Sequence, residues 1–564
     1  MPMRIPILVL MLFPLSQIFS QSKPYPKGYF RYPLAIAPKL NANFGEMRPN
    51  HFHMGLDLST ERRENMPIYA AADGYVGRVK IEPGGFGRAI YLNHPNGFTT
   101  LYAHMNDFMP ALETYVKGKQ YEKESWMQEL SIPEGMFPVK KGDFIGYSGN
   151  TGGSQGPHVH FEIRETASEK CLNPLLFGFS IPDNVPPDLT RLAIFDRNQS
   201  TYEQAPAVYS LVKKGTIYQT AGTIKVNTDK IVIAIQATDR MSGVPNPNGI
   251  FSVSLFEGNR QLGGFAIDDV GYDETRYLNA HIDFSSKLSG GAYFQYIFPL
   301  DGDKLTIYRN PPQEKFIFLK DTAVHHFRLE VRDPYGNKSE GRFSLQRSGR
   351  SLPKTKSGQL MLPDQINVYE TDQLQVMIPE KGIYDSIYFT HKVRAKTGST
   401  GFSAIHDVHT YLVPVHGMFT VKIKSESNIP YPLRNRMLIR KITKADTDVK
   451  KANWELGWYT ASFREFGSFQ LIADDIPPQI VVSGIADGVK ASKATRIIVT
   501  VSDNNGAIRN FRAELNGKWL MFSQKGRTFT YKFDENCLPG NHLLKISVED
   551  EAGNSTVKNI RFTR

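Results

Sequence analysis

Two stretches of the chain alternate apolar and polar side chains at a period of two. They are His51-Phe52-His53-Met54-Gly55-Leu56-Asp57-Leu58 and His158-Val159-His160-Phe161-Glu162-Ile163-Arg164. That period belongs to a half-buried strand. In the first stretch Phe52, Met54, Leu56 and Leu58 share one face, and His53, Gly55 and Asp57 share the other. In the second, Val159, Phe161 and Ile163 face a core while His158 and His160 point away from it together. A helix would set residues two apart about 200° around its axis, so the strand is the form in which His158 and His160 meet one ion. Along a straight strand His53 and Asp57 stand roughly 13 Å apart at Cα. One ion cannot hold both across that span, so the chain is expected to bend between them, at Gly55.

A chain of 564 residues is too long for one core, and two to four domains are expected. Its 40% apolar and 12% aromatic content excludes a disordered chain. The net charge of +11 suits an anionic surface or polymer, but no long Lys/Arg run and no aromatic-basic ladder supports nucleic-acid binding. Residues 1–20 read as a secretory signal: Arg4 is followed by an apolar run from Ile5 to Ile18, and Ser20 is a small-residue cleavage position. No later stretch is long and apolar enough to span a bilayer. Export to a periplasm or cell envelope, or secretion, follows from that segment. Only Cys171 and Cys537 occur, which rules out a disulfide scaffold and a cysteine-ligated zinc site and leaves two buried free thiols.

Residues 21–181 are rich in short strands and glycine turns. Ala89–Asn93 and Phe98–His104 read as a hairpin about His94-Pro95-Asn96-Gly97, with His94 exposed in the turn. Ala111–Trp126 has helical composition and either covers the site or decorates the domain. Further on, two sets of marks repeat. Asp183-Asn184-Val185-Pro186-Pro187 recurs as Asp474-Asp475-Ile476-Pro477-Pro478, and Asp333-Pro334-Tyr335-Gly336-Asn337 recurs as Asp550-Glu551-Ala552-Gly553-Asn554. Between each pair lies a β-branched run ending in aspartate, Ile231–Asp239 and Ile497–Asp503. These read as two copies of one immunoglobulin-like sandwich module. The expected order is a β-rich N-terminal domain (21–181), a sandwich module with insertions (182–346), a polar linker, a β-rich middle module (359–473) and a C-terminal sandwich (474–564). The fold class is mainly all-β.

Four blocks share an order with a known family: Phe44-Gly45-Glu46-Met47-Arg48, His53-x-x-x-Asp57, Leu101-Tyr102-Ala103-His104, and Gly152–Gly156 leading into Pro157-His158-Val159-His160-Phe161-Glu162. Over residues 40–165 the chain resembles the LytM/lysostaphin-type peptidoglycan zinc metalloendopeptidases. The resemblance implies one zinc ion held by His53, Asp57 and His160, with a fourth position for water. It matches His104 and His158 to the two histidines that do not bind metal, as N–H donors or imidazolium groups that stabilise an oxyanion or shuttle a proton. Arg48 either orients a substrate carboxylate or braces its strand, and Tyr102 either lines the groove or fills the core. Glu162 is expected as a supporting or surface group, and His51 as a neighbour of the site and not a ligand.

The function implied by the resemblance is hydrolysis of peptide bonds in peptidoglycan stem peptides or cross-links, by an exported enzyme whose β modules position or regulate it. Envelope proteins are possible partners through those modules. Two other classes compete: a non-catalytic peptidoglycan-binding scaffold or regulator of another hydrolase, and a surface assembly or adhesion protein.

Overall fold

The computed structural model describes residues 25–308, 315–349, 356–396, 401–491, 494–506 and 508–564. The expected signal segment lies outside them. The protein is 48% strand and 7% helix, so it is mainly β. Among the described residues no helix is long and apolar enough to cross a membrane.

The sheet that carries the site runs, in spatial order, Leu40–Ala42, Leu56–Ser59, His158–Glu165, Phe98–Ala103, Arg88–Asn93, Gly74–Ile81 and Gln128–Ser131. Alternation dictates its inner face: Phe52, Met54, Leu56, Leu58, Val159, Phe161 and Ile163 are all buried. The first alternating stretch is two strands, His51–Phe52 and Leu56–Ser59, broken between as expected. Gly55 serves the break by close approach, since a Cβ there would lie 2.4 Å from the Phe161 carbonyl oxygen. Register then assembles the site. His160 stands opposite Asp57 on one side and Ala103 on the other.

The helix Pro110–Glu122 begins with proline at its first turn, where the missing N–H has no intrahelical acceptor to lose. It contributes nothing to the lining of the cleft around the site. Its outer side meets the C-terminal part of the chain, where Lys117 pairs with Asp534 and Glu535 and the Tyr121 ring stands edge-on to Trp519. Nearby, the Lys525 ammonium donates to the Asn150 carbonyl at 2.7 Å.

Beyond residue 181 the strands form pairs of sheets. A five-stranded and a six-stranded sheet occupy residues 188–347, two five-stranded sheets residues 367–473, and a four- and a five-stranded sheet residues 479–563. The last two pairs enclose separate apolar cores. The first does not: its core is continuous with that of the N-terminal domain. Asp269–Val270 also pairs with Cys171–Leu172 and so extends the site-bearing sheet. Arg347, expected in the linker, ends a ten-residue strand. Cys171 and Cys537 are buried free thiols.

Candidate metal centre

Four backbone features aim the side chains. The Leu56–Ser59 strand delivers Asp57, the central strand delivers His158 and His160, the break before Leu56 delivers His53, and the end of Phe98–Ala103 delivers His104. At His104 the backbone turns left-handed, with φ of 62°, which swings its ring over the neighbouring strand. The His104 ring then lies 4.7 Å from that of His158 and 6.0 Å from that of His160, centroid to centroid.

Three donor atoms converge. His53 Nε2 lies 2.9 Å from Asp57 Oδ1 and 3.0 Å from His160 Nδ1, and His160 Nδ1 lies 3.0 Å from Asp57 Oδ1. Tetrahedral zinc with bonds of about 2.0–2.1 Å sets its donors about 3.3 Å apart, close to this triangle. The ring tautomers support the fit. His53 Nδ1 faces the Asn43 carbonyl at 2.6 Å, and His160 Nε2 faces Glu162 Oε1 at 2.9 Å. Each therefore donates its N–H outward and leaves a lone pair on the inward nitrogen. Two lone pairs and a carboxylate oxygen then face one another inside the protein, an arrangement that calls for a cation.

Without an ion, protons take its place. Burial acts to lower the His160 pKa, but the carboxylates of Asp57 and Glu162 outweigh it and hold the ring up at about 9. Burial acts to raise Asp57, yet His53, His158 and His160 hold it well below the usual carboxylate range.

The other two histidines are each fixed through Nδ1. His104 Nδ1 faces the Thr151 carbonyl at 2.9 Å, and His158 Nδ1 faces the Gly156 carbonyl at 2.8 Å. His104 thus turns Nε2 toward the cleft, whereas His158 Nε2 lies 3.3 Å from Asp57 Oδ1 and pairs with it. Burial, reinforced by His160 and His158, pushes the His104 pKa down to about 3.

Glu162 is fully buried, not a surface group. Its Oε1 takes the His160 N–H and a 2.6 Å bond from the Tyr272 hydroxyl, and its Oε2 pairs with Arg164 at 2.7 Å. Burial acts to raise its pKa, but Arg164 and His160 hold it down at about 2. Arg48 lines the cleft, bonded to Glu46 at 2.9 Å and 3.4 Å from Asp57. His51 lies on the same wall, with Nδ1 on the Pro49 carbonyl, and is not a donor to the triangle. Tyr102 is corrected: it is a core residue, and its hydroxyl accepts from Ala71 N–H at 2.8 Å. His94 is corrected as well. It is buried, its ring nitrogens on the Asp73 carbonyl and Thr100 hydroxyl, because the turn proper starts after it.

The cleft measures about 1270 Å³, and Arg48, Phe86, Gln155 and Asn246 are among its walls. Tyr272 and Asn246 belong to the segment after residue 181. Nothing in their local sequence marks them, since only the Cys171–Leu172 pairing with Asp269–Val270 brings Tyr272 to Glu162.

The family model for peptidase family M23 matches residues 51–121 and 125–174. These residues form an M23 peptidase domain of the LytM type. The M23 domain contains both alternating stretches, and a second family model, the Zu5-like domain, matches residues 358–474. The chain is 32% identical over 164 residues to an uncharacterized metalloprotease of Haemophilus influenzae, covering 28% of each protein. It is 30% identical over 162 residues to the DD-carboxypeptidase/endopeptidase Mpg of Neisseria meningitidis, covering 28% of this chain and 31% of that one. The likeness thus spans under a third of either relative's length. The catalytic domain of lysostaphin from Staphylococcus simulans aligns at 22% identity and a TM-score of 0.19, covering 25% of this chain and 91% of that one.

Proposed function

We propose that the protein is an exported zinc metalloendopeptidase that hydrolyses peptide bonds in peptidoglycan stem peptides or cross-links. The observation that carries this reading is the convergence of His53 Nε2, His160 Nδ1 and Asp57 Oδ1 with both ring tautomers fixed from outside. Relatives named DD-carboxypeptidase/endopeptidase and peptidoglycan DD-endopeptidase support the substrate class.

In this reading His53, Asp57 and His160 hold the ion. Zinc there supplies Lewis acidity, polarising a peptide carbonyl and acidifying water. His104 and His158, on the wall of the cleft, take up a proton and return it to the departing amine. Once protonated, either ring donates a hydrogen bond to the developing oxyanion. Glu162 holds the His160 ring, and Arg48, on the cleft wall, meets substrate carboxylates. The modules after residue 181 position or regulate the domain.

The test is digestion of defined muropeptides by the full chain, with products identified by mass spectrometry. Cleavage that a chelator abolishes and added zinc restores is the expected result. A zinc-loaded protein that binds peptidoglycan but releases no fragment would instead place it among non-catalytic scaffolds.

A further inference from the structure

The two repeated sets of marks come together in space. Asp183, Asp239 and Asp333 offer oxygens that all lie within 4.8 Å of one another, and so do Asp474, Asp503 and Asp550. In each copy the third aspartate closes the Asp-x-x-Gly-Asn turn. Asn337 donates to Asp333 Oδ2 and to the Asp183 carbonyl, as Asn554 does to Asp550 Oδ2 and the Asp474 carbonyl.

The copies part in how they meet the gathered charge. In the C-terminal copy, side-chain amides do so: Asn504 donates to Asp474 Oδ1 at 3.0 Å and Asn505 to Asp474 Oδ2 at 2.5 Å. In the earlier copy those two positions are Arg240 and Met241. Arg240 turns to Asp188 at 2.6 Å, Met241 has no amide to offer, and Ser242 donates its N–H and hydroxyl to Asp183 Oδ1 alone among the three carboxylates. Three oxygens there are buried with no hydrogen-bond partner, Asp183 Oδ2, Asp239 Oδ1 and Asn248 Oδ1, against one in the C-terminal copy, Asp503 Oδ1, on a residue that is only partly buried. Asp239 is 2% exposed and Asn248 4%. Asn248 faces Asp239 across an antiparallel bridge, so both side chains project to the same side. Among the described residues no Lys, Arg or His forms an ion pair with any of the three aspartates.

Three carboxylates packed this closely repel one another, and a buried oxygen without a donor is costly. A cation answers both. Calcium binds oxygens at about 2.3–2.6 Å, so oxygens on one ion lie up to about 5 Å apart, as these do. An all-oxygen set favours a hard ion and is unlike the histidine-containing centre of the M23 domain. We propose that Asp183, Asp239 and Asp333, with the Asn248 amide oxygen beside them, form a calcium-class divalent cation site. In the C-terminal copy Asn504 and Asn505 take up both Asp474 oxygens and leave only Asp503 Oδ1 unmet. The site fixes the Asp183–Pro187 connection that leads out of the M23 domain.

The test uses the zinc-loaded full chain, with Asp239→Asn and Asp503→Asn variants, titrated with calcium chloride by calorimetry and followed by thermal unfolding. One equivalent of calcium and a raised Tm are expected for the wild type and for Asp503→Asn, and neither for Asp239→Asn. Zinc content stays equal in all three. No calcium uptake by the wild type at millimolar concentration, two equivalents, or unchanged binding by Asp239→Asn would overturn the assignment. Should Asp239→Asn not fold, the wild type and Asp503→Asn still decide it. One equivalent in both supports the site, and loss of binding in Asp503→Asn overturns it.

Discussion

At His53 and His160 the outward nitrogen of each ring is already engaged, by the Asn43 carbonyl and by Glu162, so each inward nitrogen is committed to whatever occupies the centre. Asp57→Ala and His160→Ala are therefore expected to lose both zinc and turnover. His104→Ala should keep zinc, measured by atomic absorption, while its turnover falls by about 10²–10⁴. Glu162→Gln should weaken zinc binding by about 10–100-fold, read by competition with a chelating dye. His104 carries a second signature in its left-handed backbone. His104→Gly should unfold at higher denaturant than His104→Ala by about 0.4–1 kcal/mol, both being inactive. The pH dependence follows from His160. Its raised pKa makes its stabilising effect complete below its usual 6.5 and lost as pH rises through about 9. The metal-free protein should lose Tm across that window, and the zinc-loaded protein, with Nδ1 occupied, should not. The three converging residues were legible because alternation set their faces and the family blocks matched their order. Tyr102 was not, because its strand is buried on both faces and alternation there cannot tell groove from core. The burial of Glu162 was hidden too: parity put it on the site face, but Tyr272, which covers it, comes from 110 residues away.

Among the elements, the contact of Leu56–Ser59 with the central strand decides whether His160 and Asp57 meet. Gly55 is where that contact can be broken by one methyl group. In Gly55→Ala the new Cβ would press on the Phe161 carbonyl and on Glu162 Cγ, at 2.4 and 2.9 Å. The variant is expected to lose about 1–3 kcal/mol in denaturant unfolding and to bind zinc less tightly. The sequence placed a break at Gly55 from the reach of one ion. It did not disclose the close approach, because that depends on a strand about a hundred residues later. Hairpin, helix and turn positions were readable from local chemistry. The outward role of the Pro110–Glu122 helix was not, because its partners Asp534 and Trp519 lie at the far end of the chain.

For the molecule as a whole, the M23 domain and the segment after it share an apolar core and a sheet. A fragment ending at residue 181 would expose that core and lose Tyr272. It is expected to be insoluble or inactive, whereas a chain ending at residue 346 should keep zinc and turnover. Expression of both fragments, with zinc analysis and the muropeptide assay, checks this. Repeated aspartates and prolines revealed a duplicated module in the sequence. They could not reveal that one copy is fused to its neighbour, since fusion is written in scattered apolar residues that carry no common spacing.

The Asn150 carbonyl takes the Lys525 ammonium, and the next carbonyl along, that of Thr151, takes the His104 ring N–H. One peptide unit thus separates the grip of the chain's last segment from the carbonyl that fixes the His104 ring. A substitution that removes that ammonium, Lys525→Ala, is therefore expected to loosen the peptide that holds the His104 ring while leaving the three converging donors in place. Its turnover should fall while its zinc content stays that of the wild type, as measured by the muropeptide assay and metal analysis.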